Sequence, residues 1–122
     1  MQSYNVKLHG SGLQLYDSAG FNVPDDYNVP FPANEAYLCI PTVPDHLSEV
    51  KVDVYKIQMP ETTDLEQRWK GAFNCKSGTL VLETSLVGEV DTFTFENTGK
   101  KYIEVWTDKA DQPQHVAILI LE

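Results

Sequence analysis

Basic residues are scarce in this chain: nine Lys and Arg stand against eighteen Asp and Glu, a formal net charge of −9. The mean field around such a molecule repels phosphate backbones, which argues against nucleic acid as a direct ligand. The same field attracts and orients a basic partner. Cysteine is almost missing. Cys39 and Cys75 are too few for a disulfide scaffold and show no Cys-x-x-Cys spacing, so both read as free thiols. Long apolar runs are lacking too, and none approaches the roughly 20 residues that a membrane-spanning helix needs. No membrane contact is expected. The first ten residues, "MQSYNVKLHG", carry neither the basic start nor the apolar stretch of a secretory signal, so a cytoplasmic location is expected. Internal repeats and low-complexity tracts are absent.

Catalytic signatures are also wanting. No Ser or Cys sits in a Gly-x-Ser-x-Gly elbow or a comparable local setting. His9, His46 and His115 stand far apart in strand-end or loop contexts, a weak basis for a metal site. "HGSGLQ" has Gly-x-Gly without the third glycine or the following helix of a phosphate cradle, so it reads as a turn. Asp17, Asp25 and Asp26 lack the alternating spacing of a calcium loop. A glycosidase's carboxylate pair has no spacing rule in sequence, and eighteen acids leave room for one. No catalytic residue, metal ligand or cofactor is assigned, and the expectation is a protein that is not an enzyme.

What the chain does have is an apolar period of two. Its 122 residues, 42% hydrophobic and 11% aromatic, suffice for one core, so a single domain over 1–122 is expected. "YNVKLHGSGLQLYD" alternates Tyr4, Val6 and Leu8, then Leu13 and Leu15, across Gly10 and Gly12, as one kinked strand or a hairpin. Strands follow at "AYLCIPTV", "EVKVDVYKI", "GTLVLETSL", "DTFTFEN" and "YIEVWTD". The nearly continuous apolar "HVAILILE" reads as a central strand. Turn residues punctuate the whole. The pattern predicts an all-β, antiparallel β-sandwich of about seven to eight strands with at most one short helix. That helix would fall near Thr63 to Trp69, where Thr63 and Glu66 have the capping-box spacing and Leu65 and Trp69 stand four apart. A plain turn pinned by Trp69 fits the same residues.

Two stretches suggest a binding surface. In "YIEVWTD", strand alternation sends Ile103, Val105 and Thr107 one way and Tyr102, Glu104 and Trp106 the other. The second set puts a carboxylate between two aromatics, beside a loop that brings Asp108 and Asp111. Aromatics with interspersed acids suit a protein interface, where the rings supply area and the acids select a basic partner. The second stretch is "GFNVPDDYNVPFPAN", aperiodic and with three prolines, whose polar turn presents Asp25, Asp26 and Tyr27. Its apolar residues equally fit a loop packed over a sheet end.

From Phe73 onward, "FNCKSGTLVLETS", then "FTFENTGKKYIEVWT", then a polar loop and "HVAILIL" resemble the competence-associated inhibitors of the bacterial DNA-entry nuclease. The start "YNVKLHGSGLQLYD" echoes the same family. The resemblance implies a small acidic inhibitor or immunity protein that neutralises a nuclease or antibacterial toxin by covering its active site. The competing expectation is a carbohydrate-binding or other small-ligand module with Trp69, Trp106 and Tyr102 as a stacking platform.

Overall fold

The computed structural model describes residues 2–6, 12–22, 24–26, 28–42, 50–56, 58–60, 63–84 and 90–121. His9, Tyr27 and His46 lie outside them. Among the described residues there are nine strands and no helix: β1 (Gln2–Val6), β2 (Leu13–Asp17), β3 (Tyr37–Ile40), β4 (Val50–Tyr55), β5 (Glu66–Cys75), β6 (Thr79–Thr84), β7 (Val90–Thr94), β8 (Gly99–Thr107) and β9 (His115–Leu121).

The strands form two sheets, ordered β1-β4-β9-β8-β5 and β3-β2-β6-β7. Their facing sides share one core: Leu13, Leu15, Leu38, Ile40, Leu80, Leu82 and Phe93 from the four-stranded sheet meet Val50, Val52, Val54, Phe73, Ile103, Val105, Val116, Ile118 and Ile120 from the five-stranded one. The fold is the expected sandwich, with two refinements. First, β1 and β2 belong to different sheets, so the kinked strand across Gly10 and Gly12 is two strands. Second, β4 runs parallel to β9 while the other pairs are antiparallel. As its apolar run suggests, β9 is central, with strands on both sides and Val116 to Ile120 all buried.

The expected helix near Thr63 to Trp69 is replaced by the start of β5. Thr63 Oγ1 accepts the amide N–H of Leu65 at 3.2 Å, a hydroxyl turn two residues long instead of a helix cap. Pairing with β8 then jumps from Gln67 opposite Trp106 to Trp69 opposite Val105, which leaves Arg68 as a bulge. The bulge resets the alternation. From there Trp69, Gly71, Phe73 and Cys75 share the core side with Val105, Ile103, Lys101 and Gly99. The Trp69 indole packs against Gly71, where an added Cβ would come 2.6 Å from Cη2 and 2.7 Å from Cζ2. Gly71→Ala is therefore expected to displace the ring and destabilise the fold by about 1–3 kcal/mol, measurable in urea unfolding.

At the other end of β5, Cys75 leads into a tight turn that carries the chain across to β6 in the other sheet. Gly78 adopts φ 78°, the left-handed conformation that closes the turn, and its N–H donates to Cys75 O at 3.2 Å. Cys39 is half-buried and Cys75 buried, neither in a disulfide, and burial pushes both thiols up from their ordinary range. Both are poor nucleophiles for that reason.

Candidate functional site

The pleat of β8 sorts its side chains as the sequence suggests. Ile103, Val105 and Thr107 are buried, while Tyr102 is 49% exposed and Glu104 and Trp106 are half-buried on the outer face of the five-stranded sheet. Glu104 Oε1 accepts the indole N–H of Trp106 at 2.9 Å, and Lys100 Nζ lies 5.1 Å from the centre of the Tyr102 ring. The neighbouring β9 adds Ala117, opposite Trp106, and Leu119, opposite Glu104; both are buried. On β4, the buried Asp53 carboxylate sits 2.7 Å from His115 Nε2 and 3.9 Å from Lys51 Nζ.

This face is not strongly acidic. Among the described residues, register places Lys51, Lys70 and Lys100 on it against Asp53 and Glu104. The aromatic-acidic pattern of β8 is real, but lysines offset its charge on this face. Other described carboxylates stand at the two ends of the sandwich.

At the end where β8 meets β9, Asp108 and Asp111 are both exposed. Asp108 is occupied: its Oδ1 accepts the N–H of Gln114 at 3.1 Å and of His115 at 3.2 Å, closing the loop. Asp111 borders a groove of about 300 Å3 walled by Pro30, Phe31, Pro41 and Pro113. Nearby, Arg68 Nε donates to Thr107 Oγ1 and its guanidinium pairs with Glu66 at 3.2 Å.

Asp25 belongs to the opposite end. It lines a cleft of about 600 Å3 with Asp17, Phe21, Glu35, Asn74 and Lys76. Asn74 pairs with Lys100 at the start of β8, whereas the Asp111 groove includes Thr107 at its finish. The eight steps from Gly99 to Thr107, at about 3.3 Å each, separate the ends by about 26 Å. The structure thus groups Tyr102, Glu104, Trp106, Asp108 and Asp111 along one strand and its loop, and places Asp25 and Asp26 at the far end. Asp26 Oδ1 is held by the N–H of Asn28 at 2.8 Å.

Phe21 ties the start of the long loop to the four-stranded sheet. Its ring stacks on Tyr37 at 5.0 Å and lies 4.5 Å from Tyr16, covering part of the four-stranded sheet's outer face. Burial and the Glu83 carboxylate, which accepts the Tyr16 hydroxyl at 2.7 Å, push that phenol up to about 12. Residues 32–34 fold back on β3: Cys39 N–H donates to Pro32 O at 2.8 Å and Asn34 N–H to Tyr37 O at 2.9 Å. The loop also caps the free edge of β3, a common guard against edge-to-edge association.

Two residues of these sites carry weak sequence signals. Asp17 continues the inward alternation of Leu13 and Leu15 and is 1% exposed, so period two marks it as a buried carboxylate. Glu35 enters the cleft only through the turn before β3 and has no local signature. The stacking platform of the small-ligand reading is overturned by register. Trp69 faces the core beside Val105, while Tyr102 and Trp106 point out of the opposite face. Among the described residues, no group of three His, Cys, Asp or Glu side chains is placed to hold a metal ion.

No protein-family model and no curated protein matches this chain. Among solved structures, the fold is similar to the crystal structure of ComJ, inhibitor of the DNA degrading activity of NucA, from Bacillus subtilis. The TM-score is 0.76 over 100% of this chain and 96% of that one, at 8% sequence identity. At that identity the likeness is one of fold.

Proposed function

We propose that this chain is a non-catalytic inhibitor or immunity protein that binds a basic nuclease or antibacterial toxin in the cytoplasm and neutralises it by covering the site where its substrate enters. The observation that carries the reading is the full-length fold likeness to an inhibitor of a DNA-degrading enzyme. The net charge of −9 adds the partner's sign. A surface that binds a DNA-degrading enzyme competes with a polyanion, and carboxylates gathered at the sandwich ends are suited to that competition.

The proposed contact runs along β8, through Tyr102, Glu104 and Trp106 to Asp111, with Asp25 and Asp26 at the far end. A standard interface buries roughly 800 Å2 per partner, a patch about 30 Å across, enough to span the strand. Rings at the centre should govern how long the complex lasts, and rim acids how fast it forms. Trp106→Ala is accordingly expected to weaken binding by ~2 kcal/mol, mainly through faster dissociation, and Asp111→Lys to slow association at low salt. Asp108 is unsuited to this comparison because its substitution would also release two backbone N–H groups. Biosensor kinetics from about 50 to 500 mM salt check both statements. Association unaffected by salt and by Asp111→Lys would remove electrostatic steering from the account.

A further inference from the structure

The outer face of the five-stranded sheet holds a carboxylate that water hardly reaches. Asp53 lies opposite Ala117, and Ala117 opposite Trp106, so the three residues share one face. Asp53 is nevertheless only 5% exposed, and its Oδ2 meets His115 Nε2 at 2.7 Å. Its negative charge, added to burial, pushes the neighbouring Tyr55 phenol up. An ionised carboxylate can only accept hydrogen bonds, so Nε2 carries the proton of the neutral imidazole and Nδ1 keeps a lone pair.

His115 is fixed at its backbone as well. Its N–H donates to Asp108 Oδ1 at 3.2 Å, and its carbonyl oxygen accepts the Asp108 N–H at 3.2 Å. The side chain is still 32% exposed, and among the described residues nothing bonds to Nδ1. The result is an acceptor at the surface whose tautomer and orientation are set from beneath. Such a group meets a donor on another molecule without first losing rotamer freedom. It stands one pleat step, about 7 Å, along β9 from Ala117 and so beside the Trp106 ring of the proposed contact.

We propose that His115 is a contact residue of the partner-binding face, accepting an N–H of the basic partner on Nδ1, with Asp53 as its positioning residue. The proposal deepens the inhibitor reading and rests on it for the partner. It also makes the contact sensitive to pH. Protonation turns Nδ1 from acceptor into donor and sets a positive charge against a basic protein. The titratable and charged groups around the ring are Lys51, Asp53 and Tyr55 on β4, Glu104 on β8 and Asp108 just after it, with Lys109 and Asp111 in the loop that follows. Strand β1 brings only Ser3 and Asn5, neither titratable, to the positions opposite Asp53 and Lys51.

The ring is tested first in the whole chain alone. Long-range nitrogen NMR of the imidazole at about pH 8 should show the Nε2–H tautomer, and an Nδ1–H tautomer would overturn the proposal. The contact is then tested by biosensor affinity for a NucA-type nuclease from the same organism, at fixed salt. The parent chain is expected to bind on the order of tenfold more weakly at about pH 5.5 than at about pH 8. His115→Gln keeps an N–H for Asp53 but neither titrates nor offers a ring acceptor. It should bind about tenfold more weakly than the parent at high pH, with a flatter pH profile. His9 and His46 remain in both chains, so their effect cancels in the comparison. Asp53→Asn, which no longer dictates the tautomer, should weaken binding a few-fold at high pH. Thermal midpoints show which variants fold, and where Asp53→Asn does not, His115→Gln carries the test. Equal affinity and equal pH profile in the parent and His115→Gln would overturn the proposal and leave the inhibitor reading intact. A folded parent that neither binds nor inhibits the nuclease at any pH would sink the inhibitor reading and the role of His115 with it.

Discussion

Phe73→Ala is expected to remove about 4 kcal/mol from the unfolding free energy, a large part of the 5–15 kcal/mol typical of a folded domain. The residue lies on β5, an edge strand with one neighbour, where a large ring need not be buried. Yet Phe73 is 1% exposed and is among the largest fully buried side chains. It reaches the core because the bulge at Arg68 sets the alternation of the rest of the strand. Truncation deletes most of a ring from a site that neighbouring strands hold open, so transfer and cavity costs add. Ala72→Ser, one residue earlier and on the outer face, should change stability by less than about 0.5 kcal/mol. Urea unfolding of the two variants checks the register. Equal and small losses would mean that β5 beyond the bulge is not paired as described.

The second large effect belongs to Asp17→Asn, expected to cost about 3 kcal/mol. Burial by itself would raise this carboxyl, but the bonds from Ser77 Oγ and the N–H groups of Ala19, Lys76 and Ser77 outweigh it and hold the carboxyl below its ordinary value. The amide variant turns a donor toward a ring of donors and removes the charge that strengthens each bond. It would loosen the turn between β5 and β6, which Asp17 holds through Lys76 and Ser77. A depressed carboxyl also makes stability depend on pH in a definite direction. The folded state binds the proton less readily than the unfolded state, so the Asp17 contribution is complete above the unfolded value of about 3.9 and is lost as pH falls through the lower, folded value. Thermal midpoints at pH 7 and pH 3 should therefore lie closer together in Asp17→Asn than in the parent chain. A parallel drop in both proteins would place the acid sensitivity elsewhere.

The sequence was most legible where one rule acted alone. Strict alternation in β8 and β4 gives the buried faces directly, and the apolar run of β9 marks a strand with neighbours on both sides. The segment from Thr63 to Trp69 misled because a spacing of four is even. Leu65 and Trp69 share a side in a helix and in a strand alike, and Thr63 with Glu66 imitates a capping box. The deciding feature, an extra residue at Arg68, shows only against the partner strand. Likewise, Gly10 and Gly12 announce a break but not that the chain changes sheets there. The candidate surface divides in the same manner. The rings and carboxylate of β8 stand at alternate positions of one short stretch, so their shared face could be read off. The cleft joins Asp17, Asp25, Glu35 and Lys76 from the end of one strand, a loop and two separate turns, and only the assembled sandwich brings them together. Net charge suggests the sign of the proposed partner but not the place of contact, since three lysines offset the carboxylates on the face where the aromatics sit.

The inhibitor reading is tested most directly by DNA degradation. A NucA-type nuclease from the same organism is held at fixed concentration and its rate on duplex DNA is followed as this chain is added. The account predicts a linear fall to near zero at a fixed stoichiometry, with inhibition relieved as salt rises and weakened by Trp106→Ala. A rate unchanged at tenfold excess of the folded chain at low salt would contradict it.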